Sequence, residues 1–312
     1  MNKPPADDLL AGWRRALARE GRSPVFDLGS EGVTSTMSYW ADVLYEAPEP
    51  SGSFESAGDE LSQVVGVDLS WRAGLVGGER EFVERLAAKL QVDVPEGADA
   101  TAAAPAVDET GPEPASNEQF LEWVPLPPFI KKRVMKAKLR DLHHYIYNVS
   151  HSPRSGETYA VRDELRKRFV AQIEAGAARA GSEKHVVVAH SMGTVIAYDC
   201  LRSVPECPEI DGLLTLGSPL GLDEVQAGLP GWENRRNAYP AKIRDRWVNV
   251  YDRLDPVCGF DPRIANDYER DGQRVIEDVN EQNWGRWRHD SAKYFQGPLL
   301  RRALREMVGR VG

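Results

Sequence analysis

Apolar positions along the chain keep two rhythms, and the rhythm changes near residue 141. Before that point the signals are scattered. Residues 7–20, DDLLAGWRRALARE, set Leu9, Leu10, Trp13 and Leu17 at helical intervals behind an acidic first turn, which predicts an amphipathic helix ending at Gly21. Val33 to Tyr45 carries the β-branched and aromatic mix of a strand running into a short helix. Pro48 to Gly58 reads as a surface excursion, and Phe82, Val83, Leu86 and Leu90 predict a second helix over Glu79 to Leu90. From Asp141 onward, short apolar runs alternate with long amphipathic ones. The expected order is helix Val161–Ala180, strand His185–Ala189, helix Thr194–Ser203, strands Gly212–Leu216 and Trp247–Tyr251, and a final helix Gly297–Val308. Such alternation implies an α/β fold: a mostly parallel sheet covered by helices on both faces, with its active site at the carboxyl ends of the strands.

Composition narrows this picture. With 312 residues the chain can hold one large α/β domain with an insertion, or two ordinary domains. No apolar run approaches the ~18 residues of a membrane span, and the first residues, MNKPPADDLLAGWRR, lack a secretory pattern, so a cytoplasmic location is expected. A net charge of −9 argues against generic binding to nucleic acid or anionic lipid and favours a small neutral substrate. Cys200, Cys207 and Cys258 match neither a disulfide framework nor a zinc site and read as reduced thiols.

Two segments stand apart by charge. Residues 93–118 hold seven acids, seven alanines, four prolines and no Lys or Arg, the composition of a mobile acidic loop. In KKRVMKAKLR, residues 131–140, six of ten residues are basic, and the favoured reading is a solvated cap helix rather than a membrane-surface or acid-docking helix.

The candidate chemistry centres on VVVAHSMGTVIAYDCL, where an apolar strand meets an apolar helix at Ser191. A turn this tight needs small residues two positions to either side, and Ala189 and Gly193 supply them. At the start of that helix the Met192 N–H can face an oxyanion. A serine hydroxyl needs a histidine to take its proton and an acid to orient that histidine. After WVNVY, the Asp-Pro turn makes Asp255 the first choice of acid, ahead of Asp252 and Asp261. Of six histidines, His143, His144 and His151 precede the serine, His185 opens its strand at the wrong end, and His190 packs against neighbouring loops. His289, in NWGRWRHDSAKYF, is left as the base. Ser218 in LGSPLG is a weaker nucleophile because Pro219 after it has no N–H to offer, and its loop is expected to line the pocket near Leu220.

In AHSMGT, LGSPLG, the DPV at Asp255–Val257 and the His-Asp-Ser before Tyr294, the chain resembles the bacterial α/β-hydrolase fold esterases and lipases over roughly residues 7–45 and 141–312. The resemblance implies a hydrolase core formed by residues 1–45 and 141–312, with residues 46–140 as a largely helical cap whose Trp123, Leu126 and Phe129 are candidate pocket linings. It implies a serine ester hydrolase with Ser191 as nucleophile, His289 as base and Asp255 as orienting acid, acting on a small ester or lipid, with no metal or organic cofactor. A thioesterase or acyltransferase would use the same three residues, and an impaired hydrolase-fold binding protein is the contrasting class.

One element of that family is missing. A strand ending in His-Gly should lie beside the strand before Ser191 and bring the second oxyanion donor, whereas NKPP looks like the tail of its loop, leaving an N–H near Asn2 as the candidate. The gap is met by a start upstream, by another segment such as Pro24 to Leu28, or by a partner chain. A homo-oligomer is left open.

Overall fold

The computed structural model describes residues 3–21, 24–48, 70–89, 128–258, 260–285 and 287–310. Its helices are α1 (Ala6–Ala18), α2 (Ala41–Leu44), α3 (Gly77–Lys89), α4 (Pro128–Ile146), α5 (Val161–Ala180), α6 (Met192–Ser203), α7 (Asp223–Ala227), α8 (Ser291–Gln296) and α9 (Pro298–Met307). Strands β1 (Ser150–His151) and β2 (Tyr159–Ala160) form a small antiparallel pair. β3 (Val186–His190), β4 (Ile210–Leu216), β5 (Ile243–Tyr251) and β6 (Glu277–Asn280) form one parallel sheet in the order β3-β4-β5-β6.

Alternation along the central strands assigns their side chains to two cores. Leu213 and Trp247, paired across β4 and β5, face a large core filled by α4, α5 and α6. Leu214, Leu216, Val248 and Val250 face the opposite core, built from α1, α8 and α9. The sheet is therefore buried on both faces, as its apolar strands require. Arg301, fully buried on α9, holds the first and last helices together: its guanidinium donates to the carbonyls of Ala16 (2.7 Å), Arg19 (3.0 Å) and Phe295 (3.0 Å).

Two expectations are corrected. Residues 33–40 form no strand and run as irregular chain into the single turn of α2; among the described residues they join no ladder, although Thr36 to Trp40 line the groove along β3. The described part of the basic run, residues 135–140, is no solvated face either. Met135, Ala137, Lys138 and Leu139 are buried, because α4 packs against α3 and α5 and its spacing turns part of the lysine-rich stripe inward. The acidic segment 93–118, Trp123, Leu126, the Phe129 side chain and Asn2 lie outside the described residues.

Among the described residues no strand pairs with the outer edge of β3. The Ser191 N–H donates to Leu216 (3.0 Å) and the His185 carbonyl accepts from Asp211 (2.8 Å), so by alternation the amides of Val186 and Val188 point away from β4. They open on a groove of about 150 Å³ that runs along the strand between Leu9 and Trp13 and the α5 residues Phe169 and Ile173. Residues 24–28 do not fill it: Phe26 packs beneath α9 and its N–H bonds Leu17. No described helix is long and apolar enough to cross a membrane.

Candidate active site

Each strand of the parallel sheet delivers one component at its carboxyl end. Ser191 follows β3, Gly217 follows β4, Asp255 follows β5 and His289 follows β6. Ser191 takes φ 55° and ψ −129°, a left-handed conformation that costs a non-glycine residue about 1–3 kcal/mol and persists where its surroundings hold it. Here the Ser191 N–H is tied to Leu216, and its carbonyl accepts from the Thr194 N–H (2.9 Å) and hydroxyl (2.7 Å). Ala189 is 6% exposed, whereas a Cβ on Gly193 would meet the Trp40 indole nitrogen at 4.0 Å, an ordinary contact, so space is not short at that position.

His289 and Asp255 are wholly buried and paired, with His289 Nδ1 2.9 Å and 2.8 Å from the two carboxylate oxygens. That contact assigns the Nδ1 proton to the Asp255 bond and leaves Nε2 as an acceptor. Asp255 also accepts from the Val257 N–H (2.8 Å) and the Tyr294 hydroxyl (2.7 Å). Burial raises its pKa, opposed by those hydrogen bonds and by the charges of His190 and Lys138. Asp252, the fallback acid, is occupied elsewhere: it accepts from the Leu254 and Asn283 N–H groups and pairs with Arg288 at 3.2 Å. It fixes the two loops that carry Asp255 and His289.

Gly217 is the floor under this pair. At φ 50°, a Cβ there would stand 2.8 Å from Asp255 Oδ2 and 3.1 Å from His289 Nδ1 and Cε1. His190 packs its ring at 4.6 Å from that of His289, and its Nε2 lies 3.0 Å from the His289 carbonyl, so it buttresses the loop as expected. Ser218 is buried, bonded to Thr194 (2.8 Å) and accepting from the Leu220 N–H.

A residue that the sequence reading passed over closes the centre. Lys138 Nζ on α4 donates to Ser191 Oγ at 2.8 Å and stands 2.9 Å from His289 Nε2, which accepts from it. Ser191 and His289 share no direct hydrogen bond; the ammonium joins them. The signal was present in the helical spacing: Lys138 falls in the apolar stripe of Met135, Leu139, Leu142 and Ile146, where an exposed lysine would not be placed.

A small cleft of about 20 Å³ reaches Ser191, lined by Lys3, Trp40, Lys138, Asp141, Leu142, Met192, Pro219, Leu222 and Val257. Leu220, expected at the pocket, is instead fully buried, its carbonyl holding Gln226 and Tyr268. Asp141 is itself bonded by the Tyr45 hydroxyl at 2.8 Å and Arg140 at 3.4 Å. All three cysteines are buried free thiols, and no group of three or more metal-ligating side chains occurs among the described residues.

No family model matches the chain, and neither a curated protein nor a solved structure is significantly similar to it. The fold is α/β, with a four-stranded parallel sheet flanked by helices.

Proposed function

We propose that the chain is a serine hydrolase of the α/β-hydrolase type that cleaves carboxylic esters through an acyl-enzyme on Ser191. The observation that carries the reading is convergence: one nitrogen lies 2.8 Å from Ser191 Oγ and 2.9 Å from His289 Nε2, while Asp255 holds the far side of the same imidazole. When a substrate displaces Lys138 from Nε2, that lone pair is available to the serine proton. Ser191 Oγ then bonds to the carbonyl carbon as its proton passes to Nε2, and the carbonyl oxygen takes up negative charge near the Met192 N–H at the start of α6. Collapse breaks the ester C–O bond, and His289 returns the proton to the departing oxygen. Water repeats the sequence on the acyl-enzyme, releasing the acid and restoring Ser191. Asp255 keeps the Nδ1 proton and steadies the charged imidazole.

An alkyl fluorophosphonate tests the activation of Ser191 without knowledge of the substrate. Labelling at Ser191, together with hydrolysis of short p-nitrophenyl esters lost in Ser191→Ala, is the expected result. Equal background release by wild type and variant, with no labelling, overturns the reading in favour of a binding protein on the same fold.

A further inference from the structure

Lys138 holds its nitrogen against the nucleophile and the base at once. The residue is only 7% exposed, and its Nζ stands 2.8 Å from Ser191 Oγ and 2.9 Å from His289 Nε2. A lysine so placed is a second nucleophile within the site, provided that its ammonium gives up a proton. The acceptor is already in contact, since Nε2 can accept again once His289 has returned its proton to the departing alcohol. Asp255 favours positive charge on the Lys138–His289 pair, and its oxygens lie 2.9 Å and 2.8 Å from Nδ1 of the same imidazole. Charge that moves from Nζ to His289 therefore moves onto the group this carboxylate holds directly.

The same distances say what the amine would attack. In the acyl-enzyme the acyl carbon is one bond from Oγ, which brings it into the near-attack range of about 3–3.5 Å from Nζ. Water is the competing nucleophile, and the cleft at Ser191 measures about 20 Å³, room for about one molecule before any acyl group enters. Trp40, Leu142, Met192, Leu222 and Val257 make most of its wall apolar. An amine carried by the protein needs no such space, and well-oriented groups react with effective concentrations of about 10⁵–10⁸ M.

We propose that Lys138 is a self-acylation site: an acyl group on Ser191 Oγ passes to Lys138 Nζ and stays there as an amide. The proposal rests on the serine hydrolase reading, which supplies the acyl-enzyme. One ammonium proton moves to His289 Nε2, and the nitrogen lone pair forms a bond to the acyl carbon. The bond from that carbon to Oγ then breaks, and Oγ takes the proton from Nε2. Of the ammonium's three protons, one ends on Ser191, one leaves to solvent and one remains on the amide nitrogen, with no further reactant consumed. An amide resists the hydrolysis that clears an ester, and its acyl chain stays in the cleft. The acyl-enzyme thus divides between hydrolysis and self-inactivation, and activity is lost in proportion to product formed rather than to time.

To test this, the full chain is taken through many turnovers of p-nitrophenyl butanoate, treated with neutral hydroxylamine to strip esters and leave amides, and mapped by peptide mass spectrometry. A hydroxylamine-resistant butanoyl group on Lys138 is expected. Lys167, whose side chain is 80% exposed, reacts only with the reagent directly and serves as the internal standard. Relative to Lys167, acylation of Lys138 should fall by about tenfold or more in Ser191→Ala, which has no acyl-enzyme to present the carbon. Lys138→Arg keeps a cation that does not lose its proton, and should lose the product-linked decline seen in wild type. Absence of the amide after ester turnover, or equal acylation of Lys138 in wild type and Ser191→Ala, overturns the proposal. Fluorophosphonate labelling of Ser191 with no amide on Lys138 sinks self-acylation alone, whereas no labelling and no ester hydrolysis sinks the hydrolase reading with it.

Discussion

Gly217→Ala adds a single methyl group beneath the Asp255–His289 pair, and its effect can be divided into two parts. The first is backbone strain: with φ at 50°, an alanine there costs about 1–2 kcal/mol. The second is collision. The new carbon would stand 2.8 Å from Asp255 Oδ2 and 3.1 Å from His289 Nδ1, inside van der Waals contact on both, and overpacking of this kind costs about 1–3 kcal/mol. Gly181, at the end of α5, has a similar φ of 58° and nothing within 4 Å of its would-be Cβ, so Gly181→Ala carries the strain without the collision. At about 2 °C per kcal/mol for a chain of this size, the melting temperature should fall by roughly 2–4 °C in Gly181→Ala and 4–10 °C in Gly217→Ala. The decisive difference is in turnover. Relief of the collision must move the carboxylate or the imidazole, and displacement of a reacting group by a fraction of an ångström to one ångström costs up to about 100-fold. Gly181→Ala should keep wild-type kcat at a temperature where both variants are folded. The reasoning is refuted if Gly217→Ala turns over p-nitrophenyl esters at the wild-type rate, or if the two variants lose activity equally.

The two aspartates after β5 should separate in the same assay: Asp255→Asn loses roughly 10³–10⁴-fold in kcat by releasing the histidine tautomer. Asp252→Asn should instead lower the melting temperature, with kcat changed less than about tenfold, since its bonds go to Leu254, Asn283 and Arg288; equal kcat losses would contradict the division of roles. On α4, burial lowers the pKa of His143 to about 4 and of His144 to about 3, the latter also through the charges of His143, Arg140 and His151. The folded state refuses protons that the unfolded chain accepts below pH ~6.5, so stability is present above that pH and falls through the window down to about 4 and 3, by on the order of 1 kcal/mol per histidine per pH unit. His144→Gln should flatten the acid side of the melting-temperature profile; a parallel profile would show that His144 does not titrate this way. Arg301→Met removes the guanidinium donor from the carbonyls of Ala16, Arg19 and Phe295 and should lower stability by about 2–4 kcal/mol in a denaturant titration, with little change if those contacts are dispensable.

Long periodic segments were legible from residue types alone. The span of α5, Val161–Ala180, coincides with its apolar spacing, and α1, α3, α6 and α9 begin and end within a few residues of the pattern. β6 was not legible because EDVN offers one apolar side chain, Val279, and its strand character comes from pairing with β5. Residues 33–40 erred the other way: their composition suits a strand, yet among the described residues they join no ladder. For the site, chain order brought Ser191, Asp255 and His289 into view, and the structure brings Asp255 and His289 into direct contact. Gly217 was hidden, since a glycine letter does not say what would occupy the space of its missing Cβ. Lys138 was hidden by counting charges along 131–140 rather than asking which face each one takes.

Among the described residues no strand pairs with the outer edge of β3, and that edge bears on how the molecule should come apart. Amides of β4 and β5 are locked between neighbouring strands, but those of Val186 and Val188 face the groove, so solvent deuterium should reach them without any opening of the sheet's centre. The described sheet has two edge strands, β3 and β6, and β3 is the one that ends in Ser191, whose left-handed backbone depends on the hydrogen bond from its N–H to Leu216. As temperature rises, the serine turn should relax before the helices melt. Reactivity of Ser191 then reports the departure of a single strand, at temperatures where the helical circular dichroism is still unchanged.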